Sequence, residues 1–177
     1  MAVPAVPLPP PPVEEADLWE FLHRAEEIGL KLEITDTGIT WETMPGFRHQ
    51  ELVGNIFGAI NPATKEGKCE CIRAMDVYIR FPSGVVKRPD ISIFCRRPEQ
   101  EEGFVKMVPE AVIEITSPDY EAKDLIAGPP LYLANGVKDV VVLHRAKNEV
   151  RHTDAVGTQT HASPITLTLA CGCQVTV

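Results

Sequence analysis

The 177-residue sequence has no apolar run near the roughly 20 residues that cross a bilayer, so no membrane span is expected. It lacks the basic start and apolar core of a secretory leader, and a cytoplasmic location is expected on that basis. It also lacks an excess of basic residues. Seventeen Lys and Arg stand against 25 Asp and Glu, a net charge of -8. That balance argues against a dedicated nucleic-acid-binding module. It does not exclude a nuclease, because an empty metal site itself counts as negative charge and a local basic strip can act within an acidic whole. Candidate strips are Lys87 and Arg88, Arg96 and Arg97, and Arg145, Lys147 and Arg151. There is no Gly-rich phosphate loop, no Ser/His/Asp constellation and no internal repeat. His144 and His152 stand too isolated to suggest nucleophilic catalysis.

What is present fits an ordinary globular chain, 44% hydrophobic and 24% charged. Residues 1–13 form a proline-rich N-terminal arm, with Pro9 to Pro12 consecutive, which excludes helix and central strand. Residues 14–177 are expected to make a single domain. Leu18, Phe21, Leu22 and Ala25 recur at helical spacing, predicting a helix from Glu14 to Ile28. A hairpin follows, Leu30 to Ile34 and Ile39 to Glu42, and then a helix from Phe47 to Ile60. Strands are expected over Cys69 to Ile72, Met75 to Phe81, Val85 to Phe94 and Val112 to Thr116. A helix start is read at Ser117-Pro118-Asp119, giving a helix from Pro118 to Leu125. Gly128-Pro129-Pro130 predicts a break before a short helix from Leu131 to Asn135. A buried strand within Val137 to Leu143 and edge strands from Glu149 onward complete the order. It suits an α/β domain with a mixed central sheet.

Two Cys-x-Cys pairs, Cys69 with Cys71 and Cys171 with Cys173, invite a zinc reading. On a regular strand, residues i and i+2 lie about 6.6 Å apart. Thiolates sharing a zinc at about 2.3 Å each must come closer. The pairs therefore read as ordinary thiols on strands, with a structural zinc protein carried as a competing reading. Disulfides are not expected in a reducing compartment.

The densest signal is Arg88-Pro89-Asp90-Ile91-Ser92-Ile93-Phe94, followed by Ala111-Val112-Ile113-Glu114-Ile115-Thr116-Ser117. Each segment reads as a short buried strand with one carboxylate, which is costly unless paired. Side by side, Asp90 and Glu114 would converge on one point, and a divalent cation is the simplest partner for two acids that otherwise repel.

Pro89-Asp90 and Glu114-Ile115-Thr116 resemble the PD-(D/E)xK nuclease core. From about Trp19 to about Leu143 the chain more closely resembles the Uma2 family of restriction-endonuclease-like proteins. The likeness is carried in order by Lys31 through Gly38 to Pro45, His49 to Asn55, Val86 to Asp90, Ala111 to Pro118 and Leu131 to Val137. It implies a restriction-endonuclease-like core with helices flanking a mixed sheet. It also implies DNA as substrate, and Mg²⁺ or Mn²⁺ held by Asp90, Glu114 and the Ile115 carbonyl. Homodimerisation is expected for cutting two strands. The resemblance departs at the lysine. The core pattern puts it at Thr116, and the family puts it four residues before the tyrosine matched by Tyr132, which is Gly128 here. Lys123 is the substitute candidate, reaching the site on its flexible stem. Asp124, His49 and Glu33 match supporting positions. Two further readings compete for these residues: Lys123 facing solvent, and a degenerate nuclease fold that serves as a binding or assembly module.

Overall fold

A computed structural model describes residues 14–62, 69–99, 102–117 and 121–177. The arm over 1–13, part of the acidic loop at 100–101 and the helix start at 118–120 lie outside the described residues.

The chain opens with helix α1 (Glu15–Glu27), hairpin strands β1 (Leu30–Thr35) and β2 (Gly38–Thr43), and helix α2 (Phe47–Gly58). Short strands follow: β3 (Asn61–Pro62), β4 (Ile72–Met75), β5 (Ile79–Arg80), β6 (Val86–Lys87) and β7 (Ile91–Phe94). Then come β8 (Ala111–Ile115), a π-helical segment (Lys123–Ala127) running into α3 (Gly128–Ala134), and β9 (Asp139–His144). The last strands are β10 (Glu149–Thr153), β11 (Thr158–Ala162), β12 (Thr166–Thr168) and β13 (Cys173–Thr176). No described helix is long and apolar enough to cross a membrane.

The central sheet has the order β11-β10-β9-β8-β7-β4. It is mixed: β8 and β9 are parallel, with Glu114 opposite Val142, and the other pairs are antiparallel. Parallel neighbours need a crossover, and the helix between β8 and β9 supplies it. A second sheet, β2-β1-β6-β5, carries the hairpin, and β12-β13-β3 forms a third. β8 and β9 are buried along their whole length, which explains their near-continuous Val/Ile runs. On β8, Ala111, Ile113 and Ile115 pack in a core with Val53 and Ile56 of α2, whereas Val112 packs in a core with Tyr132 of α3. Period-two alternation therefore sends Glu114 to the Tyr132 side.

Three expectations need correction. The turn at Pro82-Ser83-Gly84 separates the strands as expected, but the strands read over Met75 to Phe81 and Val85 to Phe94 are themselves broken into short pieces, because left-handed Asp76 and Pro89 interrupt the ladders. The helix does not break at Gly128-Pro129-Pro130. Pro129 and Pro130 stand where the wide turn Lys123–Ala127 passes into α3, so their missing N–H groups fall at the change from i+5 to i+4 bonding. Gly128, helical at φ −62°, has no Cβ to clash with the following proline ring. Finally, the cysteines are not simple strand thiols. Cys69 is joined to Cys95 and Cys71 to Cys173 as disulfides, and Cys171 is free.

Candidate active site

Asp90 immediately precedes β7, and Glu114 lies on β8, its antiparallel neighbour. Their side chains meet on the same side of the sheet. The Asp90 carboxylate accepts from the Ile115 N–H at 2.8 Å, and the Glu114 carboxylate accepts from the Asp90 N–H at 3.1 Å. Glu114 also accepts from the Tyr132 hydroxyl at 2.6 Å. His49 of α2 meets Asp90 through Nε2 at 3.0 Å, and its Nδ1 lies 3.3 Å from Ser117 Oγ.

Lys123 does not face solvent. Its ammonium lies 3.2 Å from Glu33, 3.2 Å from Glu42 and 3.6 Å from Asp124. Asp90, Glu114, Lys123, Asp124 and His49 line one cleft of about 10 Å³ with Lys31, Glu42 and Ser117. That volume suits about one water-sized particle. Glu33 is fully buried behind it, pairing with Lys87 and Lys123 and accepting from the Arg88 N–H at 2.9 Å.

The winding of the helix explains how Lys123 arrives. The Gly128 N–H donates to the Lys123 carbonyl, an i to i+5 turn. Nine residues of regular helix at about 100° each would put Lys123 on the face opposite Tyr132. The extra residue absorbed by the wide turn brings it round by roughly a quarter turn. A Cβ at Gly128 would lie 3.1 Å from the Lys123 carbonyl oxygen, so the missing side chain makes room for this turn.

Electrostatics separates the acids. Burial, then the charges of Asp90 and Asp124, pushes the Glu114 carboxyl up to about 8. Burial lifts Asp124 to about 6 against the pull of Lys123. Asp90 is buried too, yet the His49 hydrogen bond and the Lys31 charge hold it below the usual carboxylate range. Burial opposes ionisation of Glu33, but Lys87, Lys123 and Lys31 hold it well below that range. Burial also opposes the charges of Lys31 and Lys123. The surrounding carboxylates overcome it and keep both ammonium groups protonated well above the ordinary lysine range.

Several residues of this cluster have no counterpart in the sequence reading. Lys31 lies 3.3 Å from Glu42, 3.5 Å from Asp76 and 3.9 Å from Asp90. Lys87 and Arg88 are not a surface strip. Lys87 is buried against Glu33, and Arg88 is held by Glu26 and by Asp76 at 2.9 Å. The available signal was in β1, where Lys31 and Glu33 alternate with Leu30, Leu32 and Ile34 on a strand buried on both faces. Beside the cleft lie two open grooves of about 590 and 370 Å³, both lined by Arg48 and Arg145.

Among the described residues, the groups of three or more metal-competent side chains with ligand atoms within 4.8 Å are Cys69, Cys171 and Cys173, and Asp139, His152 and Asp154. Asp90 and Glu114 belong to neither, so any ion between them draws its remaining ligands from backbone or solvent.

A family model described as Uma2, putative restriction endonuclease, matches residues 18–169. No curated protein matches the chain. Among solved structures, the chain is similar to a putative nuclease belonging to DUF820 from Anabaena variabilis. The two share 17% identity over 80% of this chain and 83% of that one, with a TM-score of 0.58. At that identity the likeness establishes the fold.

Proposed function

The chain belongs to the Uma2 family of putative restriction endonucleases, and on that premise we propose that it is a metal-dependent endonuclease that hydrolyses DNA phosphodiester bonds in the Asp90–Glu114 cleft. The observation that carries the reading is the meeting of Asp90, Glu114 and Lys123 in one cleft.

The donor set fits a hard divalent cation such as Mg²⁺ or Mn²⁺. Asp90 and Glu114 offer carboxylate oxygens, Ile115 lines the same cleft, and the space suits one small ion. Burial and the charges of Asp90 and Asp124 raise Glu114 against the opposing pull of Lys123, and a cation beside it would favour its ionised form. Asp90, Glu114 and the Ile115 carbonyl would hold the ion, which supplies Lewis acidity and an activated water when bound.

The remaining roles fall to the chain's own groups. Lys123 keeps its proton, so it serves as a fixed positive charge for the scissile phosphate and not as a base. Glu33, Glu42 and Asp124 hold the ammonium at the cleft and prevent it from folding back along the helix. His49 fixes the Asp90 carboxylate through Nε2, and its other ring nitrogen is in reach of Ser117. Tyr132 orients Glu114. Arg48 and Arg145 offer phosphate contacts in the adjoining grooves. Two copies of the chain would address the two strands of a duplex.

The test is nicking of supercoiled plasmid with Mg²⁺ or Mn²⁺. The expected result is cleavage that chelation abolishes and that Asp90→Ala loses. Absence of cleavage with both ions, in protein that still binds DNA equally well after loss of both carboxylates, would favour the degenerate binding module instead. That reading draws on one observation, the engagement of Lys123 by three acids in an arrangement that also serves as a buried structural network.

A further inference from the structure

All five cysteines of the chain gather at one place outside the carboxylate cleft. Cys69 and Cys71 lead into β4, Cys95 follows β7, and Cys171 and Cys173 flank the turn into β13. Cys69, Cys71 and Cys173 are buried, and Cys95 and Cys171 are partly buried. Cys69 Sγ lies 3.5 Å from Cys173 Sγ, although each belongs to a different disulfide. The sulfurs of Cys69, Cys171 and Cys173 all lie within 4.8 Å of one another.

The geometric objection to zinc assumed regular strands, and neither pair lies on one. Cys71 is left-handed at φ +48°, and Gly172 at φ +86° turns the chain between Cys171 and Cys173. The Gly172 N–H donates to the Leu169 carbonyl at 2.8 Å, and the Leu169 N–H donates to the Cys173 carbonyl at 2.9 Å, closing that turn. Four thiolates around one cation at about 2.3 Å stand about 3.8 Å apart. Cys69, Cys171 and Cys173 already stand near that spacing, 3.5 Å from Cys69 to Cys173 and within 4.8 Å for the others. Cys71, bonded to Cys173 in the disulfide, is the neighbouring sulfur that reduction releases to complete the set. An all-sulfur donor set selects soft or borderline cations and excludes Mg²⁺. Two disulfides would use four of these sulfurs and give Cys171 no part.

We propose that the reduced cluster is a tetrathiolate site for a divalent cation of the zinc class, with Cys69, Cys71, Cys171 and Cys173 as ligands. Each disulfide takes two electrons and two protons from a thiol reductant, two reductant thiols leaving as their disulfide. The cation then replaces four thiol protons, which pass to solvent. The bound ion would tie the β12-β13-β3 sheet to the β4 edge of the central sheet.

The full chain, purified under thiol reductant without chelator, is analysed for zinc and then exchanged with Co²⁺. The expected result is about one zinc per chain and a sulfur-to-cobalt charge-transfer band with tetrahedral d–d absorption. Cys171→Ser is the decisive variant. It removes no cysteine of either disulfide, so the loss of the cobalt band that the metal site predicts would be loss of a ligand and not of a cross-link. Cys171→His, which restores a nitrogen ligand, should regain metal with a shifted spectrum. Asp90→Ala should keep its zinc, separating this site from the carboxylate cleft. A reduced chain that takes up neither Zn²⁺ nor Co²⁺, or a Cys171→Ser protein that binds as its parent does, would overturn the proposal.

Discussion

Lys123 is 3.2 Å from two carboxylates and 3.6 Å from a third, so its charge is fixed in place before any substrate arrives. Lys123→Gln, similar in reach but uncharged, should lower plasmid nicking by about 10²- to 10³-fold, the usual effect of removing one preorganised donor. Binding of Mn²⁺, followed by calorimetry, should survive it. Elsewhere, a hydrogen bond to Asp139 raises the pKa of His152 above its usual value, against the opposing effect of burial. The folded state therefore holds the proton to higher pH than the unfolded chain does. The stabilisation is complete below about pH 6.5 and is lost as pH rises through the raised folded value. His152→Gln should accordingly show its full stability deficit near pH 5.5 and a smaller one at alkaline pH, read by urea unfolding across pH. At this scale the two principal acids were legible, because a carboxylate inside a β-branched run needs a partner. Lys31 and Lys87 were not legible as site residues. A lysine on a strand reads as surface until the opposite face is known to be covered, and both are buried here.

The helix between β8 and β9 does at the level of an element what its residues cannot do singly. Its i to i+5 turn sets the angle at which Lys123 leaves the backbone, and that turn depends on the bare Cα of Gly128. Placing lysine at the family's position, Gly128→Lys, should therefore not restore or raise cleavage. Its Cβ presses on the Lys123 carbonyl, and nicking should fall about 10-fold or more. The gain in helix propensity opposes the crowding, so thermal unfolding should move by only about 1 kcal/mol. Equal or faster nicking by that variant would show that the wide turn is dispensable. Helices α1 and α2 were legible from their apolar spacing, the hairpin from the turn residues between its strands, and β8 and β9 as buried β-branched runs, though not their parallel pairing. The continuous helix through Gly128-Pro129-Pro130 was not, because prolines that follow a wide turn look the same in sequence as prolines that end a helix. The Cys-x-Cys pairs were misread for a related reason: a strand period was applied where a left-handed residue and a glycine turn bend the chain.

For the molecule as a whole, charge is distributed so that the net -8 conceals a local exception. Basic residues read as a strip, Lys87 and Arg88, are consumed by internal partners. Arg48 and Arg145 remain along the grooves beside the cleft. Arg145→Ala should weaken DNA binding uniformly across sequences and reduce the slope of log affinity against log salt by about 1, measured by fluorescence anisotropy. Its effect on nicking at saturating DNA should be small. The mixed architecture follows from element order. The crossover between two parallel strands positions Glu114, Tyr132 and Lys123 together, whereas the site's fine charge balance depends on three elements, β1, β6 and α2, that meet only in the folded chain.

The wide turn at Gly128 separates a residue's address along the chain from its address in space. On the proposed reading of Lys123, a helix with this wide turn and a relative's helix without it serve one site from sequence columns five places apart. A relative whose lysine column is empty in an alignment would then have moved the group and not lost it, and which of its kin are truly disarmed would be a matter for coordinates.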